Sequence, residues 1–328
     1  MSGRPGAVLL AAAVALSACA SRPPLLPEWV AAGAAPVELS DTPFFAQDAY
    51  QCGPAALATV LHRTGVDASP DALAEQVYLP GQKGSLQVEL LAATRRSGRI
   101  PYAIDPRPQS LFAELAAGRP VLVLQNLGFT WMPAWHYAVV IGFDLSSDSF
   151  ILRSGTERRL LSPARSFLRT WRLAGHWAMV VLRPGELPAG PDRERYLHAA
   201  ALTEPYLTPA ARGAAYQAAL QVWPDDATAH FGSAFALHAA GDLADAEHAY
   251  RELLDRQPRH VAALNNLAEV LAARGCYGAA RKLARRALQI AGVDAPGLLD
   301  AINATLRDIP QQPDRAACAD DRDGEPAR

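Results

Sequence analysis

At 328 residues the chain is long enough for two ordinary domains, and half of it is hydrophobic. Its 31 Lys and Arg stand against 33 Asp and Glu, a formal charge of −2. That balance argues against a nucleic-acid footprint, and the apolar content argues against a disordered chain. None of the four cysteines (Cys19, Cys52, Cys276 and Cys318) has the C-x-x-C spacing of a zinc site, so structural zinc is not expected.

The N-terminus reads as a targeting segment. Arg4 precedes the apolar run "AVLLAAAVALSA", which is too short to span a bilayer as a helix. The run ends in "LSAC", and this resembles the lipobox of bacterial lipoproteins. The resemblance implies removal of residues 1–18, lipidation of Cys19 and, with Ala20 following, an outer-membrane anchor facing the periplasm. A plain secretory signal with an incidental cysteine is the alternative; either implies export. Residues 19–36, rich in Pro and Ala, read as a tether. No later stretch is apolar for long enough to cross a membrane.

Residues 37–187 mix both periodicities. Helical patterns cover 52–64, 70–77, 85–97 and 109–117, and strand patterns cover 120–127, 136–144, 149–154 and 176–183. Helices followed by strands on short connections, with "DLSSDS" as a hairpin turn, predict an α+β domain with an antiparallel sheet. The Pro/Gly cluster "RPGELPAGPD" at 183–192 marks a linker.

From 193 to 310 the pattern is helical and repeats itself. Pro224 and Pro258, Gly241 and Gly275, and Ala246 and Ala280 each stand 34 residues apart. With Ala234 and Ala268 at the helix crossing and Tyr250 in the second helix, this resembles the tetratricopeptide repeat, an all-α solenoid that offers a concave surface to a protein partner. An unrelated helical bundle is the alternative. "AARGAAYQAALQVWP" reads as part of a degenerate earlier unit and "PGLLDAINATLRDI" as a capping helix. His230, His238, His248 and His260 are expected at the surface. Residues 311–328 form a tail, expected to be disordered apart from whatever holds Cys318. In an oxidising compartment Cys276 and Cys318 are left to pair with each other, the alternative being two free thiols.

The chemistry centres on "QDAYQCGPAAL". Pro54 is tolerated only in the first turn of a helix, which puts Cys52 at a helix N-terminus, where the dipole favours a thiolate. A half-buried structural cysteine is the alternative. His136 opens the strand "HYAVVIGFD" and is the best candidate base; His176 and His62 are others. Together, "Q-x4-C-G-P-A-A-L" and "W-H-Y-A-V-V-I-G-F-D" resemble the family-39 cysteine peptidases, papain-like enzymes that trim double-glycine leaders from bacteriocin precursors. The resemblance covers roughly residues 40–185. It implies Cys52 as nucleophile, His136 as base and Gln47 as oxyanion donor, with no cofactor and no metal. The acid usual in that family falls at Ser154, with Glu157 close by; Asp144 and Asp148 sit at the far turn, up to ~25 Å away at about 3.3 Å per residue. The family's exporter is also missing from this sequence, so the double-glycine substrate does not transfer. The expected function is thiolate acyl transfer on a peptide or protein substrate. A peptide-binding lipoprotein without catalysis is the rival, and an amidase or transferase is a third reading.

Overall fold

The computed structural model describes residues 25–26, 36–46, 51–82, 84–315 and 318. The signal and most of the tether, Gln47, and the tail apart from 311–315 and Cys318 lie outside the described residues. Among the described residues no helix is long and apolar enough to cross a membrane.

The first domain is a twisted antiparallel sheet with helices on both faces. Its strands are β1 (Val37–Glu38), β2 (Ile100–Ala103), β3 (Val121–Asn126), β4 (Trp135–Asp144), β5 (Ser149–Ser154), β6 (Glu157–Pro163) and β7 (Ala178–Leu182), in the order β2-β7-β3-β4-β5-β6, with β1 added to β4. The helices are α1 (Cys52–Arg63), α2 (Pro70–Val77), α3 (Gln87–Arg96), α4 (Pro108–Ala116) and α5 (Ala164–Arg172). One face packs Leu57, Val60 and Leu61 of α1 against Tyr137, Val139 and Ile141. The other packs Phe112 of α4 and Phe167 and Trp171 of α5 against Ala138, Val140 and Phe150. Period-two alternation along β4 therefore feeds two cores, which is why β3 and β7 are buried throughout.

β1, β2, β6 and α5 were not expected. β2 is short and carries Pro101, tolerable because the strand is an edge. β6, the opposite edge, is charged and largely exposed, so it lacks an apolar alternation. The strand expected at 176–183 begins only at Ala178, because His176 sits in a turn with φ +55°. At Gly142 an added Cβ would lie 2.0 Å from the Val37 carbonyl oxygen, so only glycine lets β1 close on β4.

Helices α6 (Arg193–Thr203), α7 (Pro209–Val222), α8 (Ala227–Ala240), α9 (Leu243–Arg256), α10 (Val261–Arg274), α11 (Tyr277–Asp294) and α12 (Leu299–Asp308) follow. Gly241 and Gly275 end α8 and α10 in the left-handed region, at φ +84° and +90°. Ala234, Ala246, Ala268 and Ala280 are fully buried where helices cross. Cys276 and Cys318 form a disulfide with their Cα atoms 5.3 Å apart. Arg315 N–H donates to the Gly275 carbonyl and Asp314 accepts from Gly278 N–H, so the chain leading to Cys318 is fastened over the α10–α11 turn.

The stretch read as a linker is tied down. Tyr102 Oη accepts from Asp192 N–H at 3.0 Å, and the buried Glu114 accepts from Ala189 N–H at 2.8 Å. Tyr196 of α6 and Tyr216 of α7 share one apolar cluster with the sheet residues Ile100, Tyr102 and Val180. The first repeat helices are thus packed onto the sheet.

Candidate active site

Pro54 stands in the first turn of α1, as its missing N–H allows, and Cys52 is the helix's first residue. Cys52 is half-buried and unoxidised. Its neighbour Gly53 lies under Ser85: an added Cβ would fall 2.7 Å from Ser85 Cβ and 3.6 Å from Tyr137 Cδ2. Glycine here lets the loop before α3 close over the start of α1. Tyr137 donates its hydroxyl to the Ser85 carbonyl at 3.2 Å. Burial, with Cys52 close by, pushes the Tyr137 phenol well above its ordinary pKa. The residues next to the thiol and next to the imidazole therefore pack against each other.

His136 is the second residue of β4, directly across from Gln125 of β3, and its Nε2 lies 2.8 Å from Ser154 Oγ on β5. Burial holds the imidazole below its ordinary pKa. With Nε2 taken by Ser154, Nδ1 is the nitrogen left for a thiol proton. Among the described residues no hydrogen bond joins the Cys52 thiol to His136. Glu157 pairs with Ser154 across the β5–β6 turn, is exposed, and makes no hydrogen bond to His136 among the described residues. Gln47 and Cys19 lie outside them.

The other candidates are engaged elsewhere. His176 packs edge-on against Trp171 at 4.8 Å, and burial first and Arg172 second lower its pKa. His62 packs at a tilt against Phe45 and stands 3.4 Å from Asp67. Asp144 accepts from Ser146 and Ser147 within its turn, and Asp148 accepts from the Leu25 and Leu26 N–H groups. No three His, Cys, Asp or Glu side chains converge as a metal site would require, among the described residues.

Sequence reasoning missed Arg153. This buried arginine donates to the Ser40 carbonyl at 3.1 Å, to the Thr42 carbonyl at 3.0 and 3.1 Å, and to the Arg158 carbonyl. It clamps the segment that leads toward α1 onto the strand that carries Ser154. A charge inside the otherwise apolar run "SFILR" was its only signal.

Residues 39–179 match the family described as "Peptidase_C39 like family". The first domain is a C39-like peptidase domain. Residues 209–247 and 236–295 match the tetratricopeptide repeat. Among solved structures, a C39-like peptidase from Bacillus anthracis aligns at 17% identity and TM-score 0.39, covering 46% of this chain and 98% of its own. A double-glycine-motif protease from an AMS/PCAT transporter, solved with its leader peptide, aligns at 20% identity and TM-score 0.34, covering 44% and 96%. No curated protein matches. The family match covers most of the sheet and its helices, and the repeat matches cover α7 to α11 of the helical array.

Proposed function

We propose that this chain is an exported, lipid-anchored cysteine peptidase whose repeats bind a protein partner or substrate. The observation that carries the reading is the His136–Ser154 contact. It leaves Nδ1 free on a histidine whose neighbour packs beside the helix that begins with Cys52. In this reading His136 Nδ1 takes the Cys52 proton and the thiolate attacks a peptide carbonyl carbon. The Cys52 backbone N–H, together with Gln47, holds the oxyanion. The imidazolium returns its proton to the leaving amine, and water, deprotonated by the same nitrogen, releases the acyl group. Cys19 carries the lipid and the outer membrane is the site of attachment.

A binding-only protein is the second reading, favoured by the chemistry of Ser154. A carboxylate only accepts, so it fixes the Nε2–H tautomer and stabilises an imidazolium. A hydroxyl can also donate to Nε2, which would place the proton on Nδ1, the wrong nitrogen for a base. Burial without a carboxylate further disfavours the charged ring.

The two readings separate on one comparison. Envelope proteins from cells with the intact protein and from cells carrying Cys52→Ala are compared by mapping new N-termini. Termini present only with the intact chain support the peptidase. Identical maps, with no preferential alkylation of Cys52 near neutral pH, overturn it in favour of binding.

A further inference from the structure

The end of α1 opposite Cys52 borders a cavity of about 230 Å³. Arg63 and Thr64 line it from α1 and its cap, Ala117 and Arg119 from the turn between α4 and β3, and Arg183 and Glu186 from the chain just beyond β7. At 1.5 Å per residue the 12-residue helix separates this cavity from Cys52 by roughly 16 Å. Sites for drug-sized ligands span roughly 300–1,000 Å³ and are mostly apolar. A smaller cavity with three guanidiniums in its wall fits a small anion instead.

Two of the cations at this end of α1 are fully employed. Arg183 donates to the Thr64 and Arg63 carbonyls, each at 3.2 Å, and to Glu186 at 3.0 Å. Arg99 donates to the same Thr64 carbonyl at 3.0 Å and to the Thr64 hydroxyl at 3.1 Å. Together they cover the last carbonyls of α1, so the negative end of the helix dipole is already offset. Arg119 gives its Nε to buried Glu114. Arg63 is different. It stands 3.3 Å from Asp41, whose side chain is 65% exposed, so water screens the pair, and its buried Nε has no acceptor among the described residues. Arg63, Arg99, Arg119 and Arg183 thus stand with Asp41, Glu114 and Glu186, one carboxylate short of balance. Burial first and the Arg183 charge second lower the Arg99 pKa, so repulsion between cations is felt here even with Glu186 present.

We propose that this cavity binds a small multivalent oxyanion, a phosphate or a di- or tricarboxylate, held by Arg63 and Arg119. A guanidinium presents its N–H groups as a planar fork that matches such oxygens, and an oxyanion would supply the acceptor that Arg63 Nε lacks. Helix capping by itself accounts for Arg99 and Arg183 but leaves Arg63 without a bond of that kind. Binding here does not depend on whether Cys52 is catalytic.

The full chain is titrated calorimetrically with sodium phosphate and with sodium citrate at fixed ionic strength, with sodium chloride as the control. One or both oxyanions should bind saturably, and the tighter of the two identifies the chemistry. Arg63→Gln should weaken that binding at least about tenfold. Ala117→Glu brings a carboxylate into the cavity from an exposed position. It should weaken binding as much without disturbing the core, which guards against misfolding of the arginine variant. Cys52→Ala should leave the affinity unchanged; a loss there would place the anion in the cysteine cleft and overturn the inference. Heats no larger than those of chloride overturn it too, as does oxyanion binding that both cavity variants retain.

Discussion

His136 Nε2 and Ser154 Oγ stand 2.8 Å apart on the neighbouring strands β4 and β5, and Glu157, at the start of β6, is exposed. The group behind the imidazole is therefore a hydroxyl that can both donate and accept. Replacing it by an acceptor-only carboxylate fixes the tautomer and raises the His136 pKa. Ser154→Asp should speed alkylation of Cys52 by iodoacetamide at neutral pH by about tenfold or more, and Ser154→Ala should slow it. Equal rates in all three would show that this contact does not tune the thiol. The measurement is a pH–rate profile for each variant.

Arg153 offers a test of how the entry segment is held. Its hydrogen bonds to the Ser40, Thr42 and Arg158 carbonyls are charge-assisted, those to Thr42 buried and the other two partly so. Arg153→Met should cost about 3 kcal/mol or more in denaturant unfolding. It should also raise proteolytic nicking near residues 40–46, because those carbonyls lose their donor.

His260 caps α10, with Nδ1 accepting from Ala263 N–H at 3.1 Å, at the repeat position where Asp226 caps α8. Burial lowers its pKa, so the unfolded chain, near 6.5, binds the proton first. Stability from this group is complete above about pH 6.5 and is lost as pH falls through the lower folded value. Protonation also removes the capping acceptor. His260→Asp should flatten the decline of melting temperature in that range, whereas His260→Ala should lose about 1 kcal/mol at neutral pH.

Reduction of the Cys276–Cys318 disulfide frees a loop of 42 residues. Chain-entropy arithmetic puts the loss at about 4 kcal/mol at most. Cys276→Ser/Cys318→Ser should lower the unfolding midpoint of the repeats while leaving Cys52 alkylation unchanged, since the bond lies at the far end of the array.

Of the four histidines read as surface residues, only His248 is exposed, and the other three are half-buried. His230 accepts from Arg256 or bonds the Pro224 carbonyl, and His260 is a half-buried cap. A sequence window shows that a histidine lies between helices, but not that its ring closes back on the helix it precedes.

The sequence by itself determined what is local or periodic. Pro54 put Cys52 at a helix start, alternation placed β3, β4, β5 and β7, and the 34-residue offset placed the paired helices with their glycine stops. These features are legible because 3.6- and 2-residue periods, proline and left-handed glycines act within a few residues of themselves. Only the tertiary structure decided that Ser154 and not Glu157 reaches His136, because β5 lies next to β4 in the sheet while β6 stands one strand further out. It also decided that Arg153 serves carbonyls more than a hundred residues away, and that α6 and α7 share the sheet's core across an apparent linker. Such contacts depend on which surfaces meet once two cores are packed, and no spacing along the chain encodes them.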